Sequence, residues 1–212
     1  FMNDTIRACL DHVRKPARYT GGEYNAVCKD KAEVDLRFAF CFPDLYEIGM
    51  SHLGSKILYG LMNGMEGVWC ERAYAPYVDM EEEMRRRGQP LYALESGDPI
   101  SEFDILGFTL QYEMNYTGVL NMLDLAGIPK RSADRRELRP LVMAGGPCVY
   151  NAEPMADFFD LIVVGEGEEV MPELLQLYRR AKKEGMDKPA FLRAAAQLGG
   201  VYVPSLYEIT YG

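Results

Sequence analysis

Residues 34–54 read Val-Asp-Leu-Arg-Phe-Ala-Phe-Cys-Phe-Pro-Asp-Leu-Tyr-Glu-Ile-Gly-Met-Ser-His-Leu-Gly. The first nine residues alternate briefly and then become a near-continuous apolar run, which is typical of a strand buried on both faces. Pro43 and Gly49 interrupt the pattern and indicate a loop. From Ser51 to Asn63 the apolar residues fall on one helical stripe that ends at Gly64. This stretch therefore predicts a strand, a loop and a helix, and in open α/β sheets such loops bind ligands.

The same alternation of strand and helix recurs along the chain. Further apolar runs begin near residues 68, 103, 140 and 160. Asp79, followed three residues later by Glu82, predicts a capped helix start, and a long helix is expected to run to about Lys183. The spacing matches βαβ units, which form a mostly parallel sheet with helices on both faces. We therefore predict an α/β, three-layer, Rossmann-like or flavodoxin-like domain over residues 34–185, preceded by an N-terminal extension (1–33) and followed by a C-terminal linker (186–212).

Composition excludes several classes of protein. The chain has 212 residues, enough for one generous α/β domain, and a net charge of −9, which argues against a general nucleic-acid binder. Small basic runs at 85–87, 130–131 and 135–136 are interpreted as solvated loop charge. No apolar run is long enough for a membrane span, and the polar N-terminal segment has no signal-peptide core. A cytoplasmic location without membrane partners is expected.

The cysteines predict no metal site in this chain. They stand at positions 9, 28, 41, 70 and 148, so neither a Cys-x-x-Cys pair nor a closely spaced triplet exists. Zinc sites and iron–sulfur clusters need such local spacing. An odd number in a cytoplasmic protein also argues against a disulfide framework. We interpret all five as structural thiols.

Three loops are expected to converge on one ligand crevice: 43–52, 109–115 and 145–152. Each follows the carboxyl end of a predicted strand, so their side chains and free backbone N–H groups meet at one edge of the sheet. Gly145 and Gly146 allow close approach of a ligand to the backbone. Thr109 and Gln111 offer a hydroxyl and an amide, whereas Asp44 makes the mouth a poor site for bare phosphate.

Each of these features has a plainer interpretation. A Gly-Gly pair after a strand is more often a simple turn than a binding loop. His52, a lone histidine near a turn, is more often a local hydrogen-bonding residue than a metal ligand. The side chains of Tyr112, Met114 and Tyr116 are bulky enough to fill the expected crevice.

The chain resembles the N-terminal region of cobalamin-binding-domain radical SAM proteins, often called Fe–S oxidoreductases. The resemblance rests on residues 15–25, 42–54, 103–113, 144–148 (Ala-Gly-Gly-Pro-Cys) and 164–168 (Val-Gly-Glu-Gly-Glu). It implies a cobalamin-binding-like domain that precedes a TIM-barrel-type domain. The barrel carries a Cys-x-x-x-Cys-x-x-Cys motif that binds a [4Fe–4S] cluster and S-adenosylmethionine. Because this chain lacks that triplet, the cluster is expected beyond Gly212, in the remainder of a longer protein.

The resemblance also implies a set of site residues. Asp44, Tyr46 and Gly49 match the Asp-x-His-x-x-Gly loop that supplies the lower cobalt ligand, with tyrosine in place of histidine. Thr109 lies near the segment that flanks the nucleotide tail, and the Gly-Gly turn matches 145–146. A phenol is mostly protonated at neutral pH and is a poor cobalt ligand, so position 46 is not expected to supply the lower cobalt ligand that histidine supplies in the family motif. His52 is the candidate substitute.

Three functions are therefore considered. The first is a corrinoid-binding module with cofactor-binding residues Asp44, Tyr46, Gly49, His52, Thr109, Gln111, Gly145 and Gly146. The second is a degenerate domain that serves as a scaffold for its own radical SAM domain without corrinoid. The third is a flavodoxin-like or receiver-type domain, which the lack of a strand-end lysine disfavours. In each case no catalytic residue is predicted in this chain, and the substrate of the longer protein is unknown.

Overall fold

The computed structural model describes residues 2–208 and 210, and in this range it contains one six-stranded sheet. The strands are β1 (Leu36–Phe42), β2 (Val68–Tyr74), β3 (Ile105–Thr109), β4 (Leu141–Gly145), β5 (Leu161–Val163) and β6 (Val201–Tyr202). The α-helices are α1 (Asp4–Leu10), α2 (Tyr46–Gly49), α3 (Leu53–Asn63), α4 (Val78–Arg87), α5 (Asn115–Leu125), α6 (Gly167–Glu184) and α7 (Lys188–Ala195). The predicted strand starts therefore lie within two residues of the observed ones.

The strand order is β2-β1-β3-β4-β5-β6. Strands β1 to β5 are parallel, and β6 pairs antiparallel with β5. The first five strands have the flavodoxin-like order, in which the chain winds outward in two directions from β1 and β3. The winding direction reverses between β1 and β3, and this reversal leaves a crevice at the carboxyl ends of the central strands. The candidate loops predicted from the sequence lie at the same edge.

Helices cover both faces of the sheet and confirm the three-layer prediction. Helices α3, α6 and α7 pack with the side chains of one sheet face in one apolar cluster. Helices α1, α4 and α5 pack against the other face in a second cluster. β1 has buried residues on both faces, since Phe38 and Phe40 belong to the first cluster and Ala39 and Cys41 to the second. Burial on both sides explains why this strand reads as a continuous apolar run.

Two helix starts differ from the predictions. Helix α3 begins at Leu53 instead of Ser51, because the His52 side chain accepts the Ser55 N–H and caps the helix. Helix α4 begins at Val78, so Asp79 is not its N-cap residue, contrary to the prediction. The Asp79 carboxylate instead accepts the backbone N–H of Arg14 at 2.9 Å. A contact with the N-terminal segment therefore replaces the expected capping arrangement.

Both terminal segments pack onto the sheet domain. Helix α1 packs on α4, and the Trp69 indole donates to the Val27 carbonyl at 2.9 Å. Lys29 reaches the carboxyl end of α3, where its ammonium group donates to the Asn63 carbonyl at 2.8 Å. The predicted linker contains α7 and β6, which extends the sheet by one antiparallel strand. Residues 186–202 thus belong structurally to the α/β domain.

Candidate functional site

A crevice of about 370 Å³ opens at the carboxyl edge of the sheet, between α3 and α6. Residues from β1, β3, β4 and β5 form its floor, and the loops after β3, β4 and β5 form its rim. Its volume is at the lower end of the range of small-molecule sites in proteins. This is the place that the winding of the sheet favours for a ligand.

The floor is apolar and depends on a glycine. An ideal Cβ on Gly107 of β3 would lie 2.2 Å from the Phe38 ring, far inside van der Waals contact. Glycine therefore lets the Phe38 ring lie directly over the neighbouring strand. Phe40 and Met143 complete this part of the floor. The result is a flat apolar surface, which suits a planar organic group.

Five of the eight predicted site residues line the crevice, and they are His52, Thr109, Gln111, Gly145 and Gly146. The loops after β3 and β4 are therefore brought together as predicted. The Gln111 amide donates to the Thr109 hydroxyl at 2.7 Å, so these two polar groups orient each other at the mouth.

The Gly-Gly pair has two different structural roles. Gly146 has φ +98°, and an added Cβ would lie 2.7 Å from the Leu110 carbonyl oxygen, so no other residue fits there. An added Cβ on Gly145 would meet only the Val163 carbonyl, at 3.9 Å. Gly145 shares its strand face with Met143, two residues earlier, so its missing side chain leaves open space in the crevice. Gly146 sets the turn, and Gly145 keeps the crevice open.

Asp44, Tyr46 and Gly49 are not among the residues that line the crevice. Tyr46 packs edge-on against Tyr74 at the end of β2, and its hydroxyl donates to Glu23 at 2.6 Å. Burial and this hydrogen bond raise the pKa of Tyr46 to about 12. The Tyr46 side chain therefore does not line the crevice, because contacts with β2 and the N-terminal segment hold its ring, whereas His52 of the same predicted loop (43–52) does line it.

The other two residues of that loop have structural partners. Asp44 accepts the Leu45 N–H at 2.7 Å and a hydrogen bond from the Tyr112 hydroxyl, which ties the loops after β1 and β3 together. Gly49 packs against Tyr74, whose ring an added Cβ would approach to 2.4 Å. These positions support the rim without forming the wall of the crevice.

His52 lines the crevice and also caps α3. Its Nδ1 accepts the Ser55 N–H at 3.1 Å, so that nitrogen's lone pair is already used. In the tautomer that makes this bond, the ring proton lies on Nε2, which then donates a hydrogen bond and does not bind a metal ion. The interpretation of His52 as a local hydrogen-bonding residue is confirmed. Metal ligation through Nε2 would require the other tautomer and the loss of this helix cap.

Sequence reasoning missed the loop after β5. Gly165, Glu166, Gly167 and Glu168 all line the crevice at the start of α6. The signal was present, because Gly-Glu-Gly-Glu directly follows a predicted strand, the rule that selected the other loops. Their two carboxylates, together with the backbone N–H groups of the α6 start, give the mouth both acceptors and donors.

Buried polar groups hold the rim loops in place. Asn115 is fully buried, and its Oδ1 accepts the Gln111 N–H at 2.9 Å while its Nδ2 donates to the Pro43 carbonyl at 3.3 Å. The Cys148 N–H donates to the Leu110 carbonyl at 3.0 Å, which joins the loops after β3 and β4. These internal hydrogen bonds join the loops after β1, β3 and β4 to one another.

The described part of the chain contains no group of three or more His, Cys, Asp or Glu side chains able to hold a metal ion. The five cysteines are free thiols, and burial raises the pKa of the Cys9 and Cys70 thiols. Across residues 2–208 and 210, none of the helices combines the length and apolarity that crossing a bilayer requires.

Comparison with known proteins places this fold in a family. The family model described as "Radical SAM proteins, N-terminal" matches residues 54–204. The uncharacterized protein MJ0966 of Methanocaldococcus jannaschii is 38% identical over 90 residues, which is 40% of this chain and 18% of that protein. The chain thus spans less than a fifth of that relative's length. No solved structure matches the chain significantly. The family model covers well over half of the sequence, and the chain belongs to the family of radical SAM protein N-terminal domains.

Proposed function

We propose that this chain is the cofactor-binding N-terminal domain of a radical SAM enzyme and that the crevice takes the nucleotide tail of a corrinoid. The observation that carries the proposal is the open space over Gly145, beside the apolar floor that the Phe38 ring forms over Gly107, at the carboxyl edge of the sheet. Glycines on neighbouring strands leave a flat apolar floor, and such a floor fits a planar base better than a sugar or a bare phosphate.

The residues present fit the organic part of that cofactor. The apolar floor suits a benzimidazole-like ring, and the rim offers the amide of Gln111 and the exposed carboxylates of Glu166 and Glu168. Carboxylate oxygens accept hydrogen bonds, so they suit the amide side chains at the edge of a corrin ring. These two carboxylates, which take the place of Asp44 in the sequence-based expectation, also disfavour free phosphate at the rim.

The residues present do not fit a metal ligand. The Tyr46 hydroxyl is turned toward Glu23, and the His52 Nδ1 is engaged in the helix cap. We therefore propose that the corrinoid binds without a protein ligand to its metal. The role of this chain is to bind and orient the cofactor and to exclude water from one of its faces.

The remaining expectations concern the longer protein. When bound, a corrinoid supplies organometallic or electron-transfer chemistry, and the family suggests a radical SAM enzyme as the parent. A [4Fe–4S] cluster and S-adenosylmethionine are proposed for another domain of that enzyme, which would be the partner of this chain. This chain itself is proposed to be non-catalytic, and the cytoplasmic location stays a prediction.

Binding to paired cofactors tests the proposal. The chain is mixed with hydroxocobalamin or with cobinamide, which lacks the nucleotide tail, and each mixture is desalted before its visible spectrum is recorded. We expect retained colour with hydroxocobalamin and weak or no retention with cobinamide. Equal retention of both would place the tail outside the crevice. A colourless protein fraction in both cases would refute corrinoid binding and leave the scaffold function.

A further inference from the structure

A second, larger cavity of about 1010 Å³ lies at the other edge of the sheet. Its walls come from the segment before β4, the segment before β5, helix α7 and the residues after β6. Nothing in the corrinoid proposal uses it. Its most notable property is charge, because a chain with a net charge of −9 brings five cationic side chains to this cavity, namely Arg131, Arg135, Arg136, Lys188 and Arg193.

At the centre of this cluster two buried cations share one carboxylate. Asp160 is 1% exposed and accepts hydrogen bonds from Lys188 at 2.7 Å and from Arg135 at 3.1 Å. Arg135 and Lys188 are each 6% exposed. When Lys188 is protonated, the buried group carries one more positive than negative charge, and an isolated buried charge is strongly unfavourable unless an anion compensates it.

Arg135 also has an unused donor. Its terminal nitrogens donate to the carbonyls of Pro129, Lys130 and Phe158, but within the described residues its buried Nε–H has no hydrogen-bond partner. Burying such a donor unpaired costs about 1–3 kcal/mol. Burial and the neighbouring Arg135 charge lower the pKa of Lys188, against the opposing effect of Asp160. The unpaired Nε–H is thus a buried donor that lacks an acceptor within the described residues.

The other charges around the cavity do not cancel this excess. Glu153 accepts the Tyr202 hydroxyl at 2.6 Å, and Asp157 forms an ion pair with Arg131 at 2.6 Å. Arg136 and Arg193 are exposed at the mouth and form no ion pair with any residue that the structure describes. Two free guanidinium groups thus stand at the entrance to a cavity with a cationic wall.

The rim adds flat aromatic surface to this charge. The Tyr202 and Tyr207 rings lie 5.2 Å apart, and Tyr207 is 63% exposed. The Arg131 guanidinium stacks over the Phe158 ring at 5.6 Å from its centre. One guanidinium group can donate two hydrogen bonds to two oxygens of a phosphate, and exposed aromatic rings stack with planar bases.

We propose that this cavity binds a small phosphate ester with a planar substituent, such as a nucleoside monophosphate. The phosphate would be held by the arginines at the mouth and attracted by the uncompensated Arg135–Lys188–Asp160 group, with the planar part against Tyr207. The site is separate from the crevice between α3 and α6, and its test is independent of corrinoid binding.

Calorimetric titration of the whole chain with four probes tests the ligand class. The probes are AMP, ribose 5-phosphate, inorganic phosphate and adenosine. We expect AMP to bind most tightly, the two smaller phosphates more weakly and adenosine not measurably. Adenosine binding as tightly as AMP, or no heat with any phosphate probe, would overturn the proposal. Equal affinities for AMP and inorganic phosphate would contradict the part of the proposal that gives the ligand a planar substituent.

Variants at exposed positions test the site without disturbing the buried group. Arg136→Glu and Arg193→Glu are each expected to weaken AMP binding about tenfold, because each replaces an attractive charge by a repulsive one. Arg86→Glu on α4 changes the net charge equally and should have less than about a twofold effect at physiological salt. Tyr207→Ala should weaken AMP binding about tenfold and leave phosphate binding unchanged. Equal effects of Arg86→Glu and Arg136→Glu would contradict the assignment.

Discussion

Replacing Gly145 by leucine separates the stability of the domain from its ability to hold a ligand. The missing side chain at this position faces the crevice, where an added Cβ meets nothing closer than 3.9 Å. Glycine in a strand lowers stability by about 0.5–1 kcal/mol relative to alanine. A fully buried leucine side chain contributes about 1.5–3 kcal/mol, and a partly covered one contributes less. We therefore expect Gly145→Leu to stabilise the chain by about 2 kcal/mol.

The same substitution should abolish corrinoid binding, since the leucine side chain would occupy the space proposed for the tail. The assays are thermal unfolding, with an expected rise in Tm of about 4–8 °C for a chain of this size, and retention of hydroxocobalamin after desalting. Gly60→Leu is the matched control, because Gly60 is exposed on α3 with no atom near its added Cβ. That control should also stabilise, through helix propensity, but should bind cofactor normally.

Two results would refute this reasoning. A lower Tm for Gly145→Leu would mean that the crevice cannot accept a side chain and is not open space. A higher Tm with unchanged cofactor retention would mean that the ligand binds elsewhere.

The remaining predictions concern the rim, the floor and the N-terminal segment. Tyr46→His should not create a histidine-ligated corrinoid, because this position faces Glu23, and a nitrogen hyperfine splitting in the EPR spectrum of bound cob(II)alamin that appears with the variant and not with the unmodified chain would contradict this. Gly107→Ala should lower the free energy of unfolding by about 1–3 kcal/mol in urea titrations, because its Cβ would clash with Phe38, and an unchanged value would contradict the described floor. Although burial acts in the opposite direction, hydrogen bonds from Arg72 and Tyr46 hold the pKa of Glu23 below its ordinary value. The unfolded state therefore binds the proton first, so this stabilisation is complete above pH of about 5 and is lost as the pH falls. Glu23→Gln should be less stable at neutral pH and should show a shallower loss of stability on acidification, and a slope equal to that of an exposed control, Glu82→Gln, would contradict the assigned contact.

The sequence predicted the sheet well because burial leaves a direct trace in composition. Strands covered by helices on both faces read as apolar runs, and the glycines after them mark turns, as at Gly146 with its positive φ. Local hydrogen bonding was predictable too, since a histidine directly before an apolar helical stripe is in position to cap the helix. The loop after β5 could have been included by the same rule.

The parts that were not predictable depend on contacts between distant segments. Tyr46 follows β1 as expected, but its direction is set by Glu23 in the N-terminal segment and by Tyr74 on β2. The group formed by Arg135, Asp160 and Lys188 joins segments more than twenty residues apart from one another. No local pattern encodes such pairings, because they depend on how strands and helices pack in three dimensions.

The most direct test of the central claim is the NMR response of the glycine amides to hydroxocobalamin, whose cobalt(III) is diamagnetic. Binding in the crevice predicts large shift changes at Gly107, Gly145 and Gly167, all of which line it. Gly60 and Gly88 do not line it and should not shift. Changes confined to Gly60, Gly88 or other surface glycines, with none at the three crevice positions, would contradict the account.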